Sequence, residues 1–324
     1  MNNKLAIIGG SGFVGNRLAN RLKLSDIPFF IFDKNKTQTE FSFLEIDICD
    51  VYSLNKLEGC STIINLAAVH RDDIKPISKY DEVNVQGSMN ICETATKLGI
   101  NQIIFTSSVA IYGSTKHETK EDGLPNYFND YGRTKYLAEQ VYKEWQSKDS
   151  KNRSLVIIRP TVIFGENNRG NVFNLMKQIA SRRFIMFGKG QNIKSMAYVE
   201  NVAAFIEHSI QFSPGIHIYN YVDKPDLNMN ELVNLVKEII FKKKGKSFRL
   251  PYFLAYSLGY IADLLSSALK ISLPISYIRV KKFLSSSHFS TSIDETGFRP
   301  PFDLKEALIR TIEYEFLDKK KDNN

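Results

Sequence analysis

Cysteine is scarce in this chain: three residues in 324, at Cys49, Cys60 and Cys92. They form no CxxC pair and no metal-ligand spacing. That argues against a disulfide framework and favours a reducing compartment. Long apolar runs are missing as well, and no stretch has the length and purity of a spanning helix. The chain opens on residues that read as a strand, so no signal peptide is expected. There is no internal repeat and no low-complexity segment, and only the tail from Lys319 onward reads as disordered. The basic runs lack interleaved stacking aromatics and any recognition motif, which speaks against nucleic acid as a partner.

What is present is ordinary for a globular protein, with 43% hydrophobic and 24% charged residues. The length allows one large domain or two smaller ones. The net charge is +8, and its distribution matters more than its sum. Basic residues gather late, in Lys242-Lys243-Lys244-Gly245-Lys246, Arg279-Val280-Lys281-Lys282 and Lys319-Lys320-Lys321. Between the first two clusters lies Tyr252 to Leu265, rich in large apolar groups with Asp263 as its one charge. Two readings fit that segment. It is a buried core helix among solvated basic loops, or it is an apolar face for an anionic membrane surface.

The most informative stretch is Gly9-Gly10-Ser11-Gly12-Phe13-Val14-Gly15. A short buried strand precedes it, and Val14, Leu18 and Leu22 follow at helical spacing. Glycines at a strand-to-helix turn let the backbone approach a pyrophosphate, and the helix N-terminus offers free N–H groups. A second strand then ends in Asp33, placed to accept hydrogen bonds from an adenosine ribose.

Candidate strands at 4–8, 28–32, 62–66, 102–107 and 154–159 alternate with helical patterns such as Val83 to Leu98. This alternation predicts an α/β fold with a doubly wound parallel sheet. Polar residues gather at the strand ends, at Asp33, Asn65, Ser107 and Ser108, where such sheets bind ligands. Past Gly165, helices near 171–182 and 229–243 alternate with strands near 184–187 and 216–221, the latter returning to the main sheet.

Strand 102–107 runs into Ser107-Ser108, and downstream comes Tyr131-Gly132-Arg133-Thr134-Lys135 at the start of a helix. Tyr131 and Lys135 then share one face, a turn apart. A free tyrosine, with a pKa of about 10, is a poor base at neutral pH. A nearby ammonium favours the phenolate, which can take a proton from a substrate hydroxyl. Spacing alone selects nothing, because Tyr52/Lys56, Tyr112/Lys116 and Tyr277/Lys281 share it. The helix downstream of the Ser-Ser strand end selects Tyr131.

Along nearly its whole length the chain resembles the extended short-chain dehydrogenase/reductase family, the nucleotide-sugar epimerases and dehydratases. The likeness rests on the glycine turn, Asp33, Asp47-Ile48-Cys49-Asp50, Asn65-Leu66-Ala67-Ala68, Asn84, the Ser108/Tyr131/Lys135 set and Arg159-Pro160-Thr161-Val162-Ile163-Phe164-Gly165. It implies a Rossmann-type domain of residues 1–165 plus roughly 192–220 and a smaller α/β substrate domain of 166–191 and 221–318, with a disordered tail at 319–324. It implies NAD as cofactor, held by Gly9, Gly12, Phe13, Val14, Gly15, Asp33, Asp47, Ile48, Ala67, Ala68, Ser107, Tyr131, Lys135, Pro160 and Val162. Asp33 disfavours a 2′-phosphate, although Lys34 and Lys36 could reach one.

Family members that dehydrate or decarboxylate carry an acid just after the serine or threonine. Here Val109 and Ala110 stand there, as in members resembling 4-epimerases. Where the family has an arginine for the substrate diphosphate, this chain has Lys194, which lacks the fork. Ala68-Val69-His70-Arg71-Asp72-Asp73, Asn167 to Val172 and Tyr219 to Asn228 resemble the branch acting on lipid-linked N-acetylhexosamines. The implied enzyme is an NAD-dependent isomerase: a 4-epimerase of a diphosphate-linked N-acetylhexosamine, lipid-linked by preference, serving surface polysaccharide. His70, Arg71, Ser108, Asn171 and Lys194 would hold its substrate. It would work in the cytoplasm against the inner face of the cell membrane, with a homodimer allowed. The rivals are a UDP-N-acetylglucosamine 4-epimerase, a nucleotide-4-keto-sugar reductase and a non-catalytic NAD-binding scaffold. The intact Ser108/Tyr131/Lys135 set speaks against the last.

Overall fold

Short β-branched and aromatic runs, buried on both faces, make the strands of this chain. A computed structural model describes residues 4–36, 40–71, 74–114, 117–243, 248–269 and 277–318. Asp72, Asp73, Lys116, Lys244 to Lys246, the tail from Lys319, and the side chains of Arg279 and Lys282 lie outside the described residues. In chain order the strands are β1 (Lys4–Ile8), β2 (Phe29–Asp33), β3 (Phe43–Glu45), β4 (Cys60–Asn65), β5 (Gln102–Thr106), β6 (Ser154–Pro160), β7 (Val162–Phe164), β8 (Met186–Phe187), β9 (Ile193–Lys194), β10 (Met196–Tyr198), β11 (Gly215–Tyr221), β12 (Leu227–Asn228) and β13 (Arg249–Leu250). The helices are α1 (Phe13–Leu24), α2 (Ser78–Tyr80), α3 (Gly87–Leu98), α4 (Asp130–Ser147), α5 (Asn171–Ala180), α6 (Val199–His208), α7 (Met229–Phe241), α8 (Tyr252–Leu269), α9 (Tyr277–Leu284) and α10 (Leu304–Phe316). A π-helical turn, Asp81–Gln86, links α2 to α3.

Seven strands form one parallel sheet in the order β11-β6-β5-β4-β1-β2-β3. The order reverses between β1 and β4, where doubly wound sheets open a ligand crevice beyond the carboxyl ends. Alternation along β1 explains the two layers of core. Leu5 and Ile7 face a cluster with Leu18 and Leu22 of α1 and Phe205 of α6. Ala6 and Ile8 face one with Ile91 of α3 and Tyr142 and Trp145 of α4. A third cluster joins α5, α7 and α10 through Met176, Val236 and Leu308.

The five expected strands of the first half lie within two residues of their expected bounds. β11 does return to the sheet, against β6. β3 has no counterpart among the expected strands; three residues at an edge carry too short a pattern. The strand expected near 184–187 is only β8, which pairs with β13 apart from the main sheet. Burial of the Tyr252–Leu265 run as a core helix is corrected outright. On α8, Phe253 is 68% exposed and Tyr260 61%, and Leu258, Ile261, Leu264 and Leu265 are exposed too. Among the described residues, no helix is long and apolar enough to cross a membrane.

Candidate active site

A cavity of about 1030 Å³ lies along the carboxyl ends of the central strands. That is at the upper end of ligand-pocket volumes, with room for more than one small group. At one end sits the glycine turn. Gly9 has a φ of 77°, and its N–H donates to Phe32 O at 2.8 Å. A Cβ there would come within 2.7 Å of Ala67 N, and one on Gly15 within 2.5 Å of Gly10 backbone. Only glycine lets the turn touch both α1 and the segment after β4. Ser11 Oγ is buried within this turn without a hydrogen-bond partner.

Asp33 anchors the next wall: Oδ2 accepts Ser11 N at 3.1 Å and Oδ1 accepts Asn35 N at 3.2 Å. Across from it, Lys34 Nζ meets Asp47 Oδ2 at 2.5 Å. Partial burial opposes ionisation of Asp47, but Lys34 and the Cys49 N–H hold it below the usual carboxylate range. Burial, with Asp47 beside it, pushes the Cys49 thiol up to about 11, so this thiol is no nucleophile at neutral pH.

At the other end α4 brings up the tyrosine. Asn129 caps the helix, accepting Gly132 N at 2.9 Å. A Cβ on Gly132 would lie 2.5 Å from Ala110 O, so α4 rests directly on the turn that follows Ser108. Ser108 caps that turn through Ala110 N at 3.1 Å, and its hydroxyl favours the ionised form of the Tyr131 phenol. Burial raises the Tyr131 pKa, and Ser108 partly offsets this. Lys135 is buried at 2% exposure, donates from Nζ to Thr106 O at 2.7 Å and lies 4.6 Å over the Phe105 ring. Burial brings its pKa down to about 7, against the pull of Glu139. Its ammonium is thus directed into the floor of the site, toward Thr106 O and the Phe105 ring.

Every residue expected to hold the cofactor lines this one cavity, as do His70, Ser108 and Asn171. Val109 and Ala110 line it too, so no acid follows Ser108 there. Arg71 and Lys194 are not in the lining. The Arg71 carbonyl accepts the Tyr80 hydroxyl, and Lys194 Nζ donates to Ser285 O at 2.5 Å. Burial lowers the Lys194 pKa to about 8. Pattern reading did not single out the role of Asn84. Buried in the π-turn, it accepts Val69 N at 2.8 Å and donates to Thr134 Oγ1 at 3.0 Å, tying the cavity wall to α4. It also missed Glu139, although helical spacing puts that residue on the Tyr131/Lys135 face. Outside the cavity, Glu118, Asp226 and His288 come together among the described residues. Lys224 Nζ bonds both carboxylates, at 2.8 and 2.7 Å, and so fills the place of a cation.

The NAD dependent epimerase/dehydratase family matches residues 5–221. The chain is 47% identical to the N-acetyl-alpha-D-glucosaminyl-diphospho-ditrans,octacis-undecaprenol 4-epimerase of Escherichia coli O157:H7, over 100% of this chain and 98% of that protein. Its fold matches the UDP-glucose 4-epimerase of Thermotoga maritima solved with UDP-glucose, with a TM-score of 0.76 at 18% identity over 99% and 100% of the chains. It also matches the UDP-glucose 4-epimerase of Thermus thermophilus solved with NAD, with a TM-score of 0.73 at 16% identity over 96% and 98%.

Proposed function

The chain belongs to the NAD dependent epimerase/dehydratase family, and on that premise we propose that it interconverts N-acetylglucosaminyl- and N-acetylgalactosaminyl-diphospho-undecaprenol. The observation that carries the chemistry is one cavity holding the glycine turn, Ser108 and Tyr131, with Val109 and Ala110 where an acid would serve elimination. The substrate rests on full-length similarity to a lipid-linked sugar 4-epimerase.

The residues present fit NAD. The close-packed Gly9–Gly15 cradle, which lines the cavity, suits a pyrophosphate, and Asp33 suits a ribose. When bound, NAD supplies the hydride acceptor for C4 and later the donor. Tyr131 takes the O4 proton and returns it, so one group acts as base and then as acid. Ser108 Oγ holds the same oxygen and steadies the phenol. Neither Val109 nor Ala110 can move a second proton, so the 4-keto sugar is not dehydrated. The sugar presents its other face, and inversion follows.

A polyprenyl-linked sugar stays in the bilayer, so its enzyme must work at the surface. The exposed apolar face of α8 supports that placement, and the exposed Lys242, Lys243 and Lys281 supply charge for anionic lipid. The decisive experiment incubates the purified protein in parallel with undecaprenyl-diphosphate-linked and UDP-linked N-acetylglucosamine. Faster conversion of the lipid-linked sugar is expected; efficient turnover of the UDP-sugar alone overturns the lipid reading. NAD that copurifies with the protein separates an epimerase from a net reductase, which consumes added cofactor.

A further inference from the structure

Beneath the site lies a group of buried charges with no part in substrate or cofactor contact. Glu139 is one helical turn past Lys135 on α4 and has 0% exposure. Arg159, near the end of β6, is 4% exposed. Their contact is a fork: Nε donates to Oε1 at 2.8 Å and Nη2 to Oε2 at 2.7 Å. Ser107, beside the catalytic serine, donates to Glu139 Oε1 at 2.5 Å. Arg159 Nη1 donates to the Tyr112 hydroxyl at 2.6 Å and to Glu121 O at 2.8 Å.

A buried fork of this kind is weak evidence for stability, because desolvating two ions can cost more than their attraction returns. Its position suggests another use. Lys135 and Arg159 bring two positive charges to one carboxylate. A phenolate on Tyr131 makes the count neutral. Lys143, the next basic group on α4, is half-buried; burial lowers its pKa, and Arg159 adds to that against Glu139. From the turn after Ser108, only the Tyr112 phenol faces the pair, and burial pushes that phenol up to about 12, so it stays neutral. The Glu121 carboxylate is turned away, accepting Asn220 N and Ser292 N.

We infer that Glu139 and Arg159 are positioning residues for the base: their charges, held under Lys135 and Tyr131, set the pH window in which the enzyme works. This rests on the epimerase reading above. The sign follows from electrostatics. Removing the carboxylate leaves the site more positive, so Tyr131 ionises at lower pH and Lys135 loses its proton at lower pH. Both limbs of the pH–rate profile move the same way.

The test compares Glu139→Gln, Arg159→Lys and the double variant Glu139→Gln/Arg159→Gln with the wild-type holoenzyme. Glu139→Gln should shift the limb of kcat/KM set by Lys135, one turn away, to lower pH by roughly one unit, the scale of a neighbouring charge, and the limb set by the more distant Tyr131 the same way by less. Arg159→Lys keeps the charge without the fork and should leave the limbs in place. The double variant removes opposite charges and should restore the wild-type profile. It strands neither partner of the fork, so it keeps the test alive if Glu139→Gln fails to fold. A second readout needs no turnover: the phenolate absorbance step of Tyr131 near 295 nm, identified by its loss in Tyr131→Phe, should move down in Glu139→Gln. Limbs and absorbance step both unmoved in Glu139→Gln, or moved equally by Arg159→Lys, overturn the inference. Wild-type protein inactive on both sugars overturns the epimerase reading instead, and the absorbance step still decides this one.

Discussion

Two regions of the molecule break the usual rule of burial in opposite directions. Beneath the Tyr131 helix, charged groups are buried: Lys135 at 2%, Glu139 at 0%, Arg159 at 4% exposure. On α8, apolar groups are exposed: Phe253 at 68%, Tyr260 at 61%, Leu264 at 55%. Charges in a protein interior cost free energy unless paired, and large apolar patches on a lone surface are rare. The first departure is compensated inside the molecule, because the fork, Ser107 and Tyr112 occupy both carboxylate oxygens and three of the guanidinium nitrogens. The second is compensated by nothing among the described residues. A self-contained exception marks a chemical site; an uncompensated one marks a surface that expects something else. The contrast can be attacked from either side.

The largest effect should come from Tyr131→Phe. Losing a general base costs ~10²–10⁴-fold in rate. NAD should stay bound, because the glycine turn and Asp33 lie at the other end of the cavity. Steady-state rates and the cofactor content of the purified variant check this together, and near wild-type epimerisation would remove Tyr131 from its role.

Arg159→Met should follow in size, and it should act on stability as well as rate. It strands the Glu139 carboxylate in the core, and breaking a buried pair typically costs about 3–5 kcal/mol. Denaturant unfolding measures the loss directly. A loss near that of a surface substitution would mean that water already reaches the pair.

Asp33→Asn should be smaller again. Charge-assisted hydrogen bonds contribute about 1.5–3 kcal/mol, and Asp33 is held in place by Ser11 N and Asn35 N. Binding of NAD should weaken by about tenfold or more, and NADP should gain relative to it. Lys34 is engaged by Asp47, so the gain should rise further when Asp47 is also neutralised. Titration calorimetry with both dinucleotides reads the ratio.

How much of this was legible beforehand depended on range. The glycine turn, Asp33 and the choice of Tyr131 among four tyrosine–lysine pairs came from local order: a strand, a turn, a helix. Asn129 directly before α4 was a readable cap signal as well. The fork between Glu139 and Arg159 spans helix and sheet, and Asn84 reaches back to Val69. No periodicity reports which distant partner a polar residue will meet. The loop and strand positions Arg71 and Lys194 were assigned by likeness, and their side chains are not in the cavity lining. For α8 the limit was different in kind. An apolar helix buried in a core and one laid on a surface share a composition, and only the packing, which buries Ala255 and Gly259 and leaves the large side chains exposed, separates them.

The exposed face of α8 yields the smallest effect and the cleanest test of the contrast. Replacing Phe253 and Leu254 by Ser removes two exposed apolar groups, 68% and 40% accessible, and touches no buried one. Surface changes of this sort usually alter stability by no more than ~0.5 kcal/mol, so the unfolding transition should not move. The two groups together contribute on the order of 1–2 kcal/mol when they leave water only in part on a bilayer. Partitioning onto phosphatidylglycerol-containing vesicles should therefore fall about tenfold. The basic residues add roughly 1 kcal/mol each near the surface, and salt screens that contribution alone. High salt should release part of the wild-type protein and nearly all of the double variant. Activity on the UDP-sugar should be the same in both, because α8 does not line the cavity. Wild-type protein that stays wholly in solution with such vesicles would leave the apolar face of α8 to some other occupant, and a second copy of the chain, detected by sedimentation, would be the first to look for.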